Sequence, residues 1–384
     1  MKRLDKRILR EKVSERILND IETNHILGAS VLIRQKGEVL VDAHYGFADI
    51  ERKNPISENS IFRIASMTKV ISSVATMIAF ERGLISFDDE IEKYLPAFSD
   101  LKHAITDQNG KIISTEPLKT PIRIHNLLTH TSLIDCGSLF AEQVKDMTKA
   151  QNETLASALD FYSGLTMENE PGIKNSYSGT VAFDILAGIL QKVTGKPIAE
   201  FIYDEITNPL GMKDTTFTPT SDQQKRMVDM HDKKDGKSVK HVTYDGCVFE
   251  DVPATHTLAG AGLVSTIGDY DRFAQMLLNG GILEGVRIIS PQSVRYMGTP
   301  RIPQLEGSSN RWGYGVRVID NETKILPVGC FGWSGAYGTH FWVDPENEIT
   351  AVYMKNSKYD GGGTATTARN FERDVVLAFI DDKQ

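Results

Sequence analysis

The chain has 384 residues, of which 40% are hydrophobic and 24% charged, with a formal charge of -8. That length amounts to roughly two or three domains of an ordinary soluble protein, and the acidic balance argues against nucleic acid or an anionic membrane as the main partner. No stretch reaches the roughly 18 uninterrupted apolar residues of a membrane helix, and Cys136, Cys247 and Cys330 suggest neither a disulfide framework nor a zinc cluster.

The opening "MKRLDKRILREKVSERILND" is charged throughout and lacks the apolar core of a signal peptide. Its Ile8, Leu9, Val13, Ile17 and Leu18 follow one helical face, and the expected setting is the cytoplasm. "GASVLIRQKGEVLVDAHYGFAD" reads as two or three strands turning at Lys36–Gly37. A helix is expected from Ser66 to about Gly83. The pattern then stays mostly helical to about residue 205, including "HNLLTHTSL" and "SGTVAFDILAGILQKVTG". Residues 221–246 are polar and rich in turn formers, an exposed excursion. "AGAGLVSTIGDYDRFAQMLLNGG" is a turn leading into a helix. Strand character returns from about Arg311, with a turn at Asp344–Asn347, and "TARNFERDVVLAFIDD" closes the chain as a helix. Strands at both ends around a helical middle predict an α/β (α+β) fold: an antiparallel sheet flanked by helices, with an inserted helical domain. The expected division is 1–72 with 206–384 as the sheet domain and 73–205 as the helical one, the active site lying in the cleft between them.

Chemistry concentrates first at "FRIASMTK". Ser66 stands where an extended segment gives way to an apolar helix, near the positive end of its dipole, and residues three apart share a helix face, which brings the Lys69 amine to the Ser66 oxygen. A serine is a poor nucleophile until a neighbour takes its proton. A lysine does this only when burial or nearby charge lowers its pKa from about 10.4. The alternative is a helix-capping serine beside a solvated lysine, and a second Ser-x-x-Lys, Ser99 to Lys102, has no such context. Further along, "NSYSG" puts Tyr177 ahead of a helical run, and "GCFGWSGAYGTHFWVD" places Trp333–Ser334–Gly335 in a strand whose small residues let a ligand approach the backbone.

With "LLTHTS", "NPLGMKDTTF" and "AGAGLVSTIGDYDRF" in order between them, these motifs resemble the serine β-lactamase and penicillin-binding-protein superfamily, most of all class C β-lactamases and family VIII carboxylesterases. The resemblance runs from about Ile8 to Phe379. It implies that Ser66 is the acylated nucleophile, that Lys69 and Tyr177 share the proton transfers, and that the backbone N–H groups of Ser66 and Ala336 form the oxyanion hole. Two departures bear on substrate. The family's Tyr-x-Asn is here Tyr177–Ser178–Gly179, without the amide side chain, and its Lys-Thr-Gly is Trp333–Ser334–Gly335, an apolar wall in place of a cation that binds a carboxylate. Both point to small neutral esters or amides.

Trp333, Ser334, Gly335, Gly179 and His340 are the expected substrate-binding positions, His340 because strand alternation sets it on the face of Ala336 and Gly338. His130 is read as a structural residue on a helix, and Tyr45 as either a pocket or a packing residue. No Gly-x-Ser-x-Gly elbow, His-Glu-x-x-His or dinucleotide fingerprint occurs, so no cofactor or metal is expected. A serine esterase or amidase leads. A β-lactamase, D-alanyl peptidase or acyltransferase of the same fold follows, and then a non-catalytic scaffold.

Overall fold

Successive residues of Val31–Leu32–Ile33, Phe341–Trp342–Val343 and Ala351–Val352–Tyr353 are all buried. Alternate residues on a strand point to opposite faces, so a sheet built from such runs must be covered on both sides. The computed structural model, which describes residues 2–108, 112–148, 150–241, 256–303, 305 and 310–380, meets that demand. Seven antiparallel strands form the main sheet: β1 (Gly28–Gln35), β2 (Glu38–Gly46), β3 (Arg311–Trp312), β4 (Arg317–Val318), β5 (Phe331–Ser334), β6 (His340–Asp344) and β7 (Ile349–Met354), in the spatial order β3-β4-β5-β6-β7-β1-β2. The N-terminal hairpin therefore extends a sheet begun by the C-terminal strands.

Helix α1 (Lys6–Glu22) and the late helix Thr366–Val376 cover one face, packing Leu9, Val13, Ile17 and Phe371 on Val31, Ile33, Trp342 and Tyr353. Leu18, expected on the buried stripe, is instead exposed. Tyr45 packs beside α1, its hydroxyl 2.6 Å from Ser14 Oγ, which settles it as a packing residue. The other face carries a larger core formed with α2 (Thr68–Glu81), α3 (Val181–Thr194) and α4 (Ile267–Leu278), where Phe341, Val343 and Val352 meet Tyr270 and Phe273. The late helix is α5. Residue 72, the expected domain boundary, falls inside the unbroken α2.

The middle of the chain is less uniformly helical than its sequence suggests. Residues 102–106, 112–117 and 166–167 form a three-stranded sheet. In "HNLLTHTSL" the helix stops at Leu128, and His130 and Leu133 have φ of 57° and 61°, so His130 lies on a loop. The polar excursion holds a short helix, Ser221–Lys225, and a hairpin over 231–240; its residues 242–246 and Cys247 lie outside the described residues. Cys136 and Cys330 are free thiols. Among the described residues no helix is long and apolar enough to cross a membrane.

One glycine ties the sheet edge to the helices. Gly315, between β3 and β4, has φ of +75° and donates its N–H to Leu128 O at 2.9 Å; a Cβ there would stand 1.8 Å from Ser73 Oγ on α2. Gly315→Ala combines overpacking with a left-handed backbone and should cost about 2–4 kcal/mol in denaturant unfolding. An unchanged midpoint would mean that the β3–β4 turn does not rest on α2.

Candidate active site

Ser66 sits in a 3-10 turn, Ala65–Met67, that precedes α2. It caps nothing with its side chain, and the residue before it, Ala65, has φ of +44°, a conformation a non-glycine residue adopts only when its surroundings enforce it. Several bonds clamp the turn. Ile64 N donates to Leu263 O at 3.1 Å, Thr339 Oγ1 donates to Ile64 O at 3.1 Å, and Tyr270 Oη donates to Met67 O at 3.0 Å. Gly335 is needed at this contact, since a Cβ on it would lie 2.4 Å from Ile64 O. The turn before the helix is thus pressed against the end of β5, which places Ala336 beside Ser66.

Lys69 has 0% exposure. Its Nζ lies 3.5 Å from Ser66 Oγ and donates to Gly179 O at 2.6 Å and Gly260 O at 2.9 Å, over the rings of Tyr177 and Phe183 at 5.1 and 5.2 Å. Two of its positions are taken by the carbonyls, and the third is directed at the Ser66 hydroxyl. The 3.5 Å separation is at the long end for a hydrogen bond, as catalytic pairs often are before substrate arrives.

Tyr177 faces the same cavity. Its oxygen accepts from Trp333 Nε1 at 3.1 Å, leaving its own hydrogen free to be shared with a reacting group. The ring is set by Trp333, Trp312 and His130, at centroid distances of 5.2, 5.8 and 4.6 Å. His130 is fully buried and accepts the Ser178 N–H at 3.1 Å, so it supports the tyrosine from behind. Burial, then the charge of Lys69, pushes its imidazole well below the ordinary value. Ser178 in turn donates to Asp135 at 2.6 Å.

Ser66, Tyr177, Trp333, Ser334 and Ala336 line one cavity of about 330 Å³. Gly179 contributes its carbonyl to Lys69, and a Cβ on it would meet nothing within 4 Å, so the missing asparagine leaves open space. His340 corrects the expectation made for it. It is 2% exposed and lies behind the cavity wall, with Nδ1 2.7 Å from Ser334 Oγ and Nε2 3.2 Å from Glu372 Oε1 on α5. The expectation carried strand alternation through residues 335–339, which in fact turn the chain between β5 and β6, and the face His340 takes is covered by α5. Sequence reasoning also missed Asn310, Lys324, Arg369 and the run Gly362–Thr364, which complete the cavity. Two of these are cations, at odds with a purely neutral pocket, and no motif announced them.

Glu372 is buried and in contact with His340, Arg317 and Arg369. Burial acts to raise its carboxyl, but the imidazole and the two guanidinium groups outweigh that and hold it at about 2. For His340, burial lowers the imidazole against the pull of Glu372.

The chain belongs to the Beta-lactamase family, whose model matches residues 10–373. The protein is accordingly a serine hydrolase of this family. Protein Rv1367c of Mycobacterium tuberculosis is 29% identical over 347 residues, 85% of each chain. Esterase EstB of Burkholderia gladioli is 27% identical over 386 residues, 93% of this chain and 92% of that one. The solved structure of EstCE1, a hydrolase with promiscuous acyltransferase activity, has a TM-score of 0.79 at 22% identity, covering 97% of this chain and 99% of that one, a likeness of fold.

Because the folded-state value of Glu372 is depressed from 4.5 to about 2, its contribution to stability is complete above about pH 4.5 and is lost as pH falls towards 2. Melting temperature should therefore decline across that window in the wild type and decline less steeply in Glu372→Gln. Equal slopes would show that the carboxylate is not held by its neighbours.

Proposed function

We propose that the protein is a carboxylesterase that cleaves small esters through an acyl-enzyme on Ser66. The observation that carries this reading is the Lys69 amine, wholly buried and held by two carbonyls with Ser66 Oγ as its third partner. Lys69 and Tyr177 between them take the serine proton as Oγ attacks the carbonyl carbon. The backbone N–H groups of Ser66 and Ala336 stabilise the tetrahedral oxyanion, a contribution typically of about 3–4 kcal/mol per donor. Tyr177 then delivers the proton to the leaving alcohol, and water repeats the sequence to release the acid. Trp333 and Tyr177 offer an apolar wall for the acyl chain, and the likeness to Esterase EstB supports an ester substrate. The cytoplasmic setting expected from the sequence is part of this proposal.

Lys324 and Arg369 in the cavity wall favour a second reading, a substrate that carries a carboxylate, such as a β-lactam or a D-alanyl peptide. Transfer of the acyl group to an alcohol, an acyltransferase activity of the kind EstCE1 has, would use the same intermediate.

Stopped-flow hydrolysis of p-nitrophenyl butyrate should begin with a burst equal to the enzyme concentration, and Ser66→Ala should lower turnover by about 10³-fold or more. An alanine variant with wild-type rates would remove Ser66 from the mechanism. A chromogenic cephalosporin turned over faster than the ester would move the assignment to the second reading.

Trp333→Lys restores a cation at the wall and should raise kcat/KM for carboxylate-bearing esters over neutral ones by about tenfold. No change in that ratio would mean that Lys324 and Arg369 already read the carboxylate.

A further inference from the structure

The acyl-transfer steps leave one buried polar chain unused. Ser334 on β5 lies directly across from His340 on β6. Its Oγ is 2.7 Å from His340 Nδ1, and His340 Nε2 is 3.2 Å from Glu372 Oε1. Arg317 grips the same Glu372 oxygen, and Arg369 Nη1 lies 3.2 Å from the other. Ser334, His340 and Glu372 are 3%, 2% and 1% exposed, yet Ser334 belongs to the cavity wall that holds Ser66. A line of three polar groups therefore runs from the cavity into the interior, with both ends fixed.

The charges decide which way its hydrogens point. Two guanidinium groups keep Glu372 ionised. A ring nitrogen with a bare lone pair 3.2 Å from a carboxylate oxygen would be repelled, so Nε2 carries the ring hydrogen, although Arg317 competes for the same oxygen and the approach is off the ideal line. The neutral ring then has Nδ1 bare, and a bare Nδ1 only accepts. Ser334 has a single hydrogen and gives it to Nδ1. What remains towards the cavity is the acceptor side of its oxygen.

We propose that His340 and Glu372 are positioning residues that fix the Ser334 hydroxyl as a hydrogen-bond acceptor, and that Ser334 selects esters or amides bearing an O–H or N–H donor close to the scissile carbonyl. The proposal rests on the ester reading given above and narrows its substrate class. A donor of this kind pairs with Ser334, whereas a group that can only accept leaves two oxygens facing each other in a confined, mostly buried space, and sites built to pair with a substrate hydroxyl discriminate strongly against analogues that lack it.

The test compares p-nitrophenyl 3-hydroxybutyrate with its 3-methoxy analogue, which keeps the oxygen and loses the donor, with p-nitrophenyl butyrate as the reference ester. The wild type should favour the hydroxy ester by about tenfold in kcat/KM. Ser334→Ala should bring the ratio near one, Ser334→Thr should restore it, and Glu372→Gln, which removes the charge that orders the ring hydrogens, should weaken it. A wild-type ratio near one, or a ratio that survives Ser334→Ala, overturns the proposal while leaving the esterase reading intact if butyrate is cleaved. If no ester is cleaved, the esterase reading fails, and the relay is judged without substrate by two-bond proton–nitrogen correlation of the His340 ring, assigned through its loss in His340→Gln. A hydrogen on Nε2 supports the relay, and a hydrogen on Nδ1 overturns it.

Discussion

The structure of the site depends on one buried amine. Lys69 Nζ has no contact with bulk water and is held by carbonyls from two segments remote in sequence, Gly179 ahead of α3 and Gly260 ahead of β-paired residues 264–265. Taking an amine out of water is unfavourable unless its hydrogens are accepted, so the pocket is tolerable only when both segments are in place. That requirement brings α2, the Tyr177 loop and the Gly260 turn together and aims the amine at Ser66. Because the acceptors are backbone atoms, the arrangement belongs to the folded chain as a whole and no single side chain can supply it.

Two serines share the cavity, and their proton partners differ. Ser66 faces an amine whose third position is open to it, on a turn held in a left-handed conformation at Ala65. Ser334 faces an imidazole backed by a carboxylate, in a chain that superficially resembles a Ser-His-acid triad. The difference lies in what can follow proton transfer. Ser66 lines one cavity with Ala336 and Tyr177, the group proposed to pass the proton onward, whereas His340 is enclosed between β5 and α5 with Glu372 fastened by two arginines. A mostly buried hydroxyl with a rigid partner suits recognition, and a hydroxyl at a strained turn with two proton carriers suits attack.

Much of this was legible in the sequence, for identifiable reasons. The sheet followed from strand-forming runs at both ends of the chain, and α2, α3 and α5 from helical spacing, with Gly195 ending α3 at φ of 70°. Ser66, Lys69, Tyr177 and the Trp333 strand carried local signals: a break before an apolar helix, an aromatic ahead of a helix, and small residues within a strand. What escaped had no local signal. The left-handed backbone at His130 accompanies a ring packed on Tyr177 and Trp312, and Lys324 and Arg369 join Trp333 in one cavity only in the folded chain. His340 illustrates the limit: alternation was carried through residues that turn the chain between β5 and β6, and only the tertiary structure puts α5 beyond its ring.

The central claim is that acyl chemistry takes place on Ser66, with Lys69 as its buried partner. The most direct measurement is mass-spectrometric mapping of the peptide labelled by a fluorophosphonate, a reagent that phosphonylates activated serines. The account predicts stoichiometric modification of Ser66 alone, greatly slowed in Lys69→Met. Modification of Ser334 instead, or labelling of Ser66 at an undiminished rate without the lysine, would contradict it.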